Sequence, residues 1–187
     1  MLGLRRVLVL GAAGLVALSV VSYGVAGSFG GGPDKEKKTK HFEANLDGYQ
    51  ETPAISTTGW GTFRADLVGD DTIHYVFHYE ALSGGNSLFA HVHFGQKSVA
   101  GGVSFFLCGG STKPTPCPNV TGTVEGDVKA ADVVGPNGQG IEPGSFGEIL
   151  KAMRSGVAYV NIHTTAYPSG EIRGQINDKK GHGHDDA

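Results

Sequence analysis

Two histidines that stand one residue apart are the first side chains in this sequence whose spacing could do chemistry. They are His91 and His93, in the segment Ala90-His91-Val92-His93-Phe94-Gly95. The apolar residues beside them predict a β-strand, in which both imidazoles lie on one face, about 7 Å apart at their bases. Two rings so placed can converge on one metal ion. Two histidines do not complete a metal site, so further donors have to come from elsewhere in the chain.

A third histidine, His163, falls in a second strand-like segment at 159–164. The period of two places Tyr159, Asn161 and His163 on one face of that strand. If this face is the one that carries His91 and His93, three imidazoles meet. Neutral imidazole nitrogen is a good ligand for copper and for zinc. The sequence therefore predicts a candidate copper or zinc site at His91, His93 and His163.

A buried hydrogen-bonded network is the alternative for the same three histidines. In that interpretation the imidazoles bond to the backbone and to Asn161, Glu171 or Thr164, without any ion. Burial of three imidazoles without partners would be costly. One of the two arrangements is therefore expected, and the sequence leaves both open.

Glu171 and Arg173 are spaced i, i+2 and therefore share a strand face. In a metal site, Glu171 would accept a histidine N–H and Arg173 would guide anions, with Asn161 as a further neighbour of the ligands. As structural residues, Glu171 and Arg173 would form an ion pair that contributes about 0.2–1 kcal/mol. No Ser/His/Asp or Cys/His nucleophile set is evident, so no catalytic residue is predicted.

The chain has two cysteines, Cys108 and Cys117. In an exported chain, a pair at this separation predicts a disulfide that closes one loop, with a contribution of roughly 2–3 kcal/mol. A thiolate metal site is the poorer interpretation, because Cys-x8-Cys is not a usual zinc spacing.

The N-terminal region predicts export. Arg5 and Arg6 precede an apolar run at 7–21 and small residues at 24–27, the pattern of a secretory signal peptide over 1–26. Left uncleaved, the same region is long enough, at roughly 20 residues, to anchor the chain in a membrane. Either outcome places the domain outside the cytoplasm, secreted or in the cell envelope. A flexible linker is predicted at 27–40 and a disordered polar tail at 178–187.

Residues 41–177 predict one all-β domain. In the segment 72–79, for example, alternation places Ile73, Tyr75, Phe77 and Tyr79 on one face. Similar patterns predict strands at 41–46, 59–67, 72–79, 88–94, 103–108, 120–124, 157–164 and 170–176. One helix is predicted at 146–155, from an apolar period of 3.6 and a capping box of Ser145 and Glu148. The fold class is an antiparallel, Greek-key-like β-sandwich or barrel with this one short helix.

Several of these segments together resemble the CHRD domain, a module named from chordin that also occurs singly in exported microbial proteins. The resemblance covers 42–176 and implies a β-sandwich, but it brings no well-established biochemical activity with it. The segments that carry it are Phe42-Glu43-Ala44-Asn45-Leu46-Asp47-Gly48-Tyr49-Gln50-Glu51-Thr52-Pro53, Ala90-His91-Val92-His93-Phe94-Gly95, Phe106-Leu107-Cys108-Gly109, Gly156-Val157-Ala158-Tyr159-Val160-Asn161-Ile162-His163-Thr164 and Tyr167-Pro168-Ser169-Gly170-Glu171-Ile172-Arg173-Gly174-Gln175-Ile176.

A weaker similarity concerns copper–zinc superoxide dismutases, whose His-x-His strand resembles His91-Val92-His93 followed by Gly95. That class of enzyme has four copper-binding histidines, one of which bridges to zinc, and a zinc aspartate. Only His91 and His93, with His163 as a third, correspond here. The similarity thus implies a simpler copper or zinc site rather than a redox copper enzyme.

Two functions follow as expectations. The first is an exported, non-enzymatic module that binds an extracellular or cell-envelope protein through its loops, where Trp60, Tyr49 and Tyr167 are the aromatic candidates. The second is a copper- or zinc-binding protein. The net charge of −3, without a basic patch, argues against nucleic acid as a partner. A membrane contact is expected only if the N-terminal segment stays uncleaved.

Overall fold

The computed structural model describes residues 40–178. The predicted signal peptide, most of the linker and nearly all of the polar tail lie outside the described residues. No helix between 40 and 178 has the length and apolar character that crossing a membrane requires.

The described residues form nine strands and one α-helix. The elements are β1 His41–Asp47, β2 Trp60–Val68, β3 Thr72–Glu80, β4 Ser87–Phe94, β5 Gly102–Cys108, β6 Gly122–Val128, α1 Phe146–Arg154, β7 Ala158–Thr164, β8 Ile172–Gln175 and β9 Asn177–Asp178. The strands pair antiparallel in one sheet of order β5-β4-β7-β8-β1-β2-β3-β6, with β9 added beside β1. The sheet curls into a nearly closed barrel, and Val134 N–H, beyond β6, donates to Ser104 O in β5, at the opposite end of the strand order. The predicted all-β antiparallel fold with one helix is confirmed.

The barrel interior is built by the predicted alternation along the strands. In β3 the residues Ile73, Tyr75, Phe77 and Tyr79 are buried, while the residues between them are half-exposed. Because strand side chains alternate between faces, each apolar residue of this set points inward and each intervening one outward. The prediction for this strand is confirmed, and the same rule locates the core on one side of the sheet.

Strand β6 and the helix differ most clearly from their predicted form. Strand β6 runs from Gly122 to Val128 rather than over 120–124, because Val120 has a positive φ of 64° that is incompatible with an extended strand. The helix ends at Arg154, one residue early, and the Ser145 side chain makes no capping hydrogen bond. The predicted capping box is therefore wrong, and Glu148 pairs with Lys151 instead.

The predicted disulfide is present. Cys108, the last residue of β5, is bonded to Cys117 across a Cα–Cα distance of 5.1 Å, and both residues are buried. The bridge closes the loop that follows β5 and ties it to the edge of the sheet.

Strands β4 and β7 lie side by side and carry the residues of interest on their outer face. Their register puts His91 opposite Asn161 and His93 opposite Tyr159. The intervening residues Ala90, Val92, Val160 and Ile162 belong to the core. The histidines therefore lie on the side of the sheet that faces away from the barrel interior.

Candidate metal centre

The structure brings the three predicted histidines together. His91, His93 and His163 each offer one ring nitrogen, and these nitrogens lie within 4.8 Å of one another. All three side chains are buried, with exposed fractions of 3%, 8% and 7%, although they lie on the outer face of the sheet. Their burial comes from the loops and aromatic rings that cover this face, among them Phe89 and Phe106.

Backbone carbonyls fix the orientation of two of the rings. His93 Nδ1 lies 2.8 Å from Gly101 O, and His163 Nδ1 lies 2.9 Å from Pro168 O. A carbonyl oxygen can only accept, so each Nδ1 must carry the hydrogen. A neutral imidazole has one N–H, and the Nε2 atoms of His93 and His163 are therefore left with free lone pairs.

Burial keeps these imidazoles neutral. It lowers the pKa of His91 to about 2, with the neighbouring His93 and His163 adding to the effect. Burial also lowers the pKa of His93 to about 4 and shifts the pKa of His163 in the same direction. At neutral pH the nitrogens are thus unprotonated donors, the form in which imidazole binds metal ions.

Asn161 lies between two of the rings. The sequence predicted it as a neighbour of the ligands. Its Oδ1 is 3.1 Å from Nε2 of His93 and 3.1 Å from Nε2 of His163. Since both Nε2 atoms lack hydrogen, an acceptor oxygen here faces two lone pairs. His91 also has an unsatisfied polar atom, because its Nδ1 is buried without a hydrogen-bond partner. With the amide in this orientation, a hydrogen-bonded network alone leaves these atoms unsatisfied, whereas the opposite orientation would let Nδ2 donate to both Nε2 atoms.

Arg173 and Tyr159 form a stack that supports His93. The Tyr159 ring is parallel to the His93 ring, with 4.5 Å between centroids, and Arg173 Cζ lies 3.4 Å from the Tyr159 centroid. The guanidinium donates to Gln96 O at 2.8 Å. Arg173 thus contacts the centre through a cation–π stack, and the predicted ion pair with Glu171 is not formed.

Glu171 lies away from the histidines. Its fully buried carboxylate accepts hydrogen bonds from the hydroxyls of Thr57 and Thr164 and from the backbone N–H groups of Ser83 and Gly84. Burial acts to raise the pKa of Glu171, but these hydrogen bonds outweigh it and the pKa is lowered. The predicted role of Glu171 as acceptor for a histidine N–H is therefore wrong. The carboxylate instead fastens a loop to the end of β7.

The residue that contacts the centre in its place is Glu51, which sequence reasoning missed. Glu51 is only 8% exposed, and its Oε1 accepts from Asn161 Nδ2 at 3.3 Å. Burial raises the pKa of Glu51, partly offset by the hydrogen bond from Asn161. A pocket of about 220 Å³ opens beside it, lined by Pro53, Tyr167 and Gly170 among others. The sequence offered one indication, an acid inside the resemblance segment at 42–53, but carboxylates after a turn are usually solvated.

The fold and the site together define a β-barrel-like domain of the structural or binding class, with a buried three-histidine cluster on its outer face. Within residues 40–178 no fourth histidine joins the cluster, so the similarity to superoxide dismutases stays limited to the His-x-His strand. The family model of the CHRD domain matches residues 42–176, and the chain belongs to the CHRD domain family. No curated protein and no solved structure matches the chain.

Proposed function

We propose that this CHRD domain is an exported binding module that holds one copper or zinc ion on His91, His93 and His163. The observation that carries the proposal is the orientation of the rings. Two Nδ1–H groups donate to backbone carbonyls, which leaves the Nε2 lone pairs of His93 and His163 free, and both of these atoms lie 3.1 Å from Asn161 Oδ1. A hydrogen bond from the second ring nitrogen is the usual way in which proteins orient metal-binding histidines.

The spacing of the donor atoms is close to what one ion requires. Donors about 2.0–2.1 Å from a zinc ion, at angles of 90–110°, lie about 3–3.4 Å apart. The nitrogens lie within 4.8 Å of one another, a limit about 1.4 Å wider, so an ion would draw two rings together by up to about 0.7 Å each. Imidazole suits both metals: zinc would join β4 to β7 without redox chemistry, and copper would add a one-electron couple.

Metal content tests the proposal directly. The full chain is prepared without an affinity tag and with His182→Ala/His184→Ala, so that the tail histidines do not bind metal. We expect one copper or zinc ion per chain by elemental mass spectrometry. His91→Ala/His93→Ala should lose the ion, whereas the matched surface variant His74→Ala/His78→Ala should keep it. A wild-type chain that binds neither ion more tightly than micromolar would overturn the proposal.

Export is the second part of the proposal. The support is the family and the Cys108–Cys117 bond, because disulfides persist mainly outside the cytoplasm. Cell fractionation, with mass spectrometry of the N-terminal peptide, tests it. A mature chain that begins near residue 27, found in the medium or envelope fraction, supports a cleaved signal peptide. A full-length chain in the membrane fraction supports an anchor, and a full-length cytoplasmic chain contradicts export.

A protein partner is the second candidate function, because two large aromatic side chains stay exposed. Tyr49 is 77% and Trp60 is 44% exposed, and Trp60 pairs with Asp47 at the end of β1, two residues before Tyr49. Exposed aromatics are frequent anchors in protein interfaces. Cross-linking on intact cells should trap an extracellular or envelope protein that Tyr49→Ala/Trp60→Ala no longer traps, with metal content unchanged. Equal trapping by the variant would exclude this surface.

A further inference from the structure

We infer that Asn161 Oδ1 is a fourth donor to the metal ion, and that Glu51 is the positioning residue that keeps this oxygen turned toward the histidines. The inference rests on the proposed function and deepens it, since it assigns the remaining coordination position to a side chain of the domain itself. It follows from the contacts at the two ends of one amide group.

The oxygen end of the amide lies where a ligand would lie. Oδ1 is 3.1 Å from Nε2 of His93 and 3.1 Å from Nε2 of His163. Atoms that carry lone pairs repel one another at this distance unless a hydrogen or a cation lies between them. The hydrogens of both rings are used on Gly101 O and Pro168 O. A separation of about 3 Å is the one that neighbouring ligands of a single zinc or copper ion have.

The nitrogen end of the amide is held on the opposite side. Asn161 Nδ2 donates to Glu51 Oε1 at 3.3 Å, and an ionised carboxylate can only accept. If the amide were turned end for end, its oxygen would face this carboxylate. In its ionised form, Glu51 therefore selects the orientation in which Oδ1 points at the rings. Such outer hydrogen bonds typically change metal affinity 10–100-fold.

The backbone makes room for this arrangement at Gly170. A Cβ added there would overlap Glu51 Oε1 and come within 2.7 Å of Asn161 Nδ2. The absence of a side chain at position 170 thus lets the carboxylate and the amide meet directly.

The donor set has a chemical consequence. Three imidazole nitrogens and one amide oxygen are neutral donors, and the Glu51 carboxylate behind the amide offsets part of the charge of a divalent ion. Soft sulfur ligands, which select Cu⁺, are missing from this set, whereas nitrogen and oxygen donors suit Zn²⁺ and Cu²⁺. With four side-chain donors, the site is of the closed kind that holds an ion, rather than one that keeps a position open for a substrate.

The test compares variants at both residues in the full chain carrying His182→Ala/His184→Ala. Co²⁺ serves as the probe, because its visible absorption reports the number and type of its ligands, and a competing chelator reports affinity. We expect Asn161→Ala to weaken Co²⁺ and Zn²⁺ binding at least tenfold and to change the Co²⁺ spectrum. Asn161→Asp combined with Glu51→Gln keeps the size of both side chains, supplies a carboxylate oxygen to the ion and leaves an amide N–H at position 51 to donate to the second oxygen, so this pair should bind at least as tightly as the wild type. Glu51→Ala should shift the spectrum in the same direction as Asn161→Ala, and Glu51→Gln, whose amide oxygen can accept, should restore it.

The outcomes separate this inference from the proposed function. If the wild-type chain binds no ion, the proposed function fails and this inference fails with it. If the wild type binds one ion and Asn161→Ala binds it with the same affinity and spectrum, the metal site stands and Asn161 is not a ligand. If Asn161→Ala alters the site and Glu51→Ala does not, the role of Glu51 is wrong. Circular dichroism of each variant identifies any that fail to fold, and Glu51→Gln, alone and combined with Asn161→Asp, then decides the result by its spectra.

Discussion

At the scale of single residues, the centre is defined by hydrogen bonds that leave lone pairs free. The Nδ1–H groups of His93 and His163 are fixed by carbonyls, and Asn161 Oδ1 lies between their Nε2 atoms. Burial keeps the rings neutral by lowering their pKa values. Burial of these rings lowers the stability of the metal-free domain, and the size of this effect depends on pH.

We predict that the metal-free domain loses stability as the pH falls from 7.5 to 5. The pKa of His91 is about 2 and that of His93 about 4 in the folded state, below the ordinary value near 6.5 in the unfolded chain. Between these values only the unfolded chain takes up protons, so acid favours unfolding. The two histidines together should cost about 2–4 kcal/mol at pH 5. Urea unfolding in EDTA at both pH values measures the effect.

The control for this prediction is His93→Gln, which cannot take up a proton and should show a shallower pH dependence. His74 acts in the opposite direction, because its hydrogen bond to Asp127 at the surface raises its pKa. An equal pH dependence in the wild type and in His93→Gln would contradict the assignment to the buried ring.

Gly170 is the second residue whose substitution should matter. Its φ of +127° is unfavourable for any side chain, and a Cβ would overlap Glu51. We predict that Gly170→Ala destabilises the domain by about 1–3 kcal/mol and lowers its metal affinity. Gly144→Ala is the matched control, because Gly144 also has a positive φ of 83° but open space around its Cβ. Equal metal affinity in the two variants would show that Gly170 serves the backbone alone.

At the scale of elements, Glu171 joins a loop to the sheet. Its carboxylate accepts hydrogen bonds from the backbone N–H groups of Ser83 and Gly84, which precede β4, and from Thr164 at the end of β7. Hydrogen bonds to a buried charged group are stronger than those between neutral groups. The loop that leads into the first two histidines is thereby held to the strand that carries the third.

We predict that Glu171→Gln destabilises the domain by about 2–4 kcal/mol, because an amide cannot accept all of these hydrogen bonds. Amide hydrogen exchange at Ser83 and Gly84 should become faster, while exchange in β3 should follow only the loss of global stability. Glu125→Gln, at a carboxylate that is 63% exposed, is the control and should leave both measures unchanged. Unchanged protection at Ser83 in Glu171→Gln would contradict the anchoring role.

The elements also show what the sequence could and could not predict. Strand β3 and the histidine cluster were predictable, because the period of two decides which side chains share a face. The roles of Glu51 and Glu171 were not, since each depends on a loop closing over residues far along the chain: Asn161 is 110 residues from Glu51, and Thr57 is 114 from Glu171. The spacing along one strand predicted that Glu171 lies beside Arg173. It could not predict that loops distant in the sequence donate hydrogen bonds to the Glu171 carboxylate.

At the scale of the whole molecule, the cluster lies where two neighbouring strands meet under several loops. Strands β4 and β7 are adjacent in the sheet, and His91 and His93 belong to one of them while His163 belongs to the other. Segments after β4 and before β8 contact the rings through Gly101 and Pro168, and a segment before β2 contacts Asn161 through Glu51. An ion bound there would therefore connect distant parts of the chain. Its binding should raise the free energy of unfolding of the entire domain.

We predict that Zn²⁺ raises the midpoint of thermal unfolding. An ion that binds the folded state alone, at a free concentration 100 times its Kd, adds about 2.7 kcal/mol of stability. For a domain of this size that corresponds to a rise of roughly 5–10 °C. Calorimetry of the EDTA-treated chain carrying His182→Ala/His184→Ala, with and without Zn²⁺, measures it, and Mg²⁺ at equal concentration should have no effect. His91→Ala/His93→Ala should unfold at the same temperature with and without Zn²⁺. If Zn²⁺ still raises the unfolding midpoint of this variant, the ion binds elsewhere, because His163 is the only histidine of the cluster that remains.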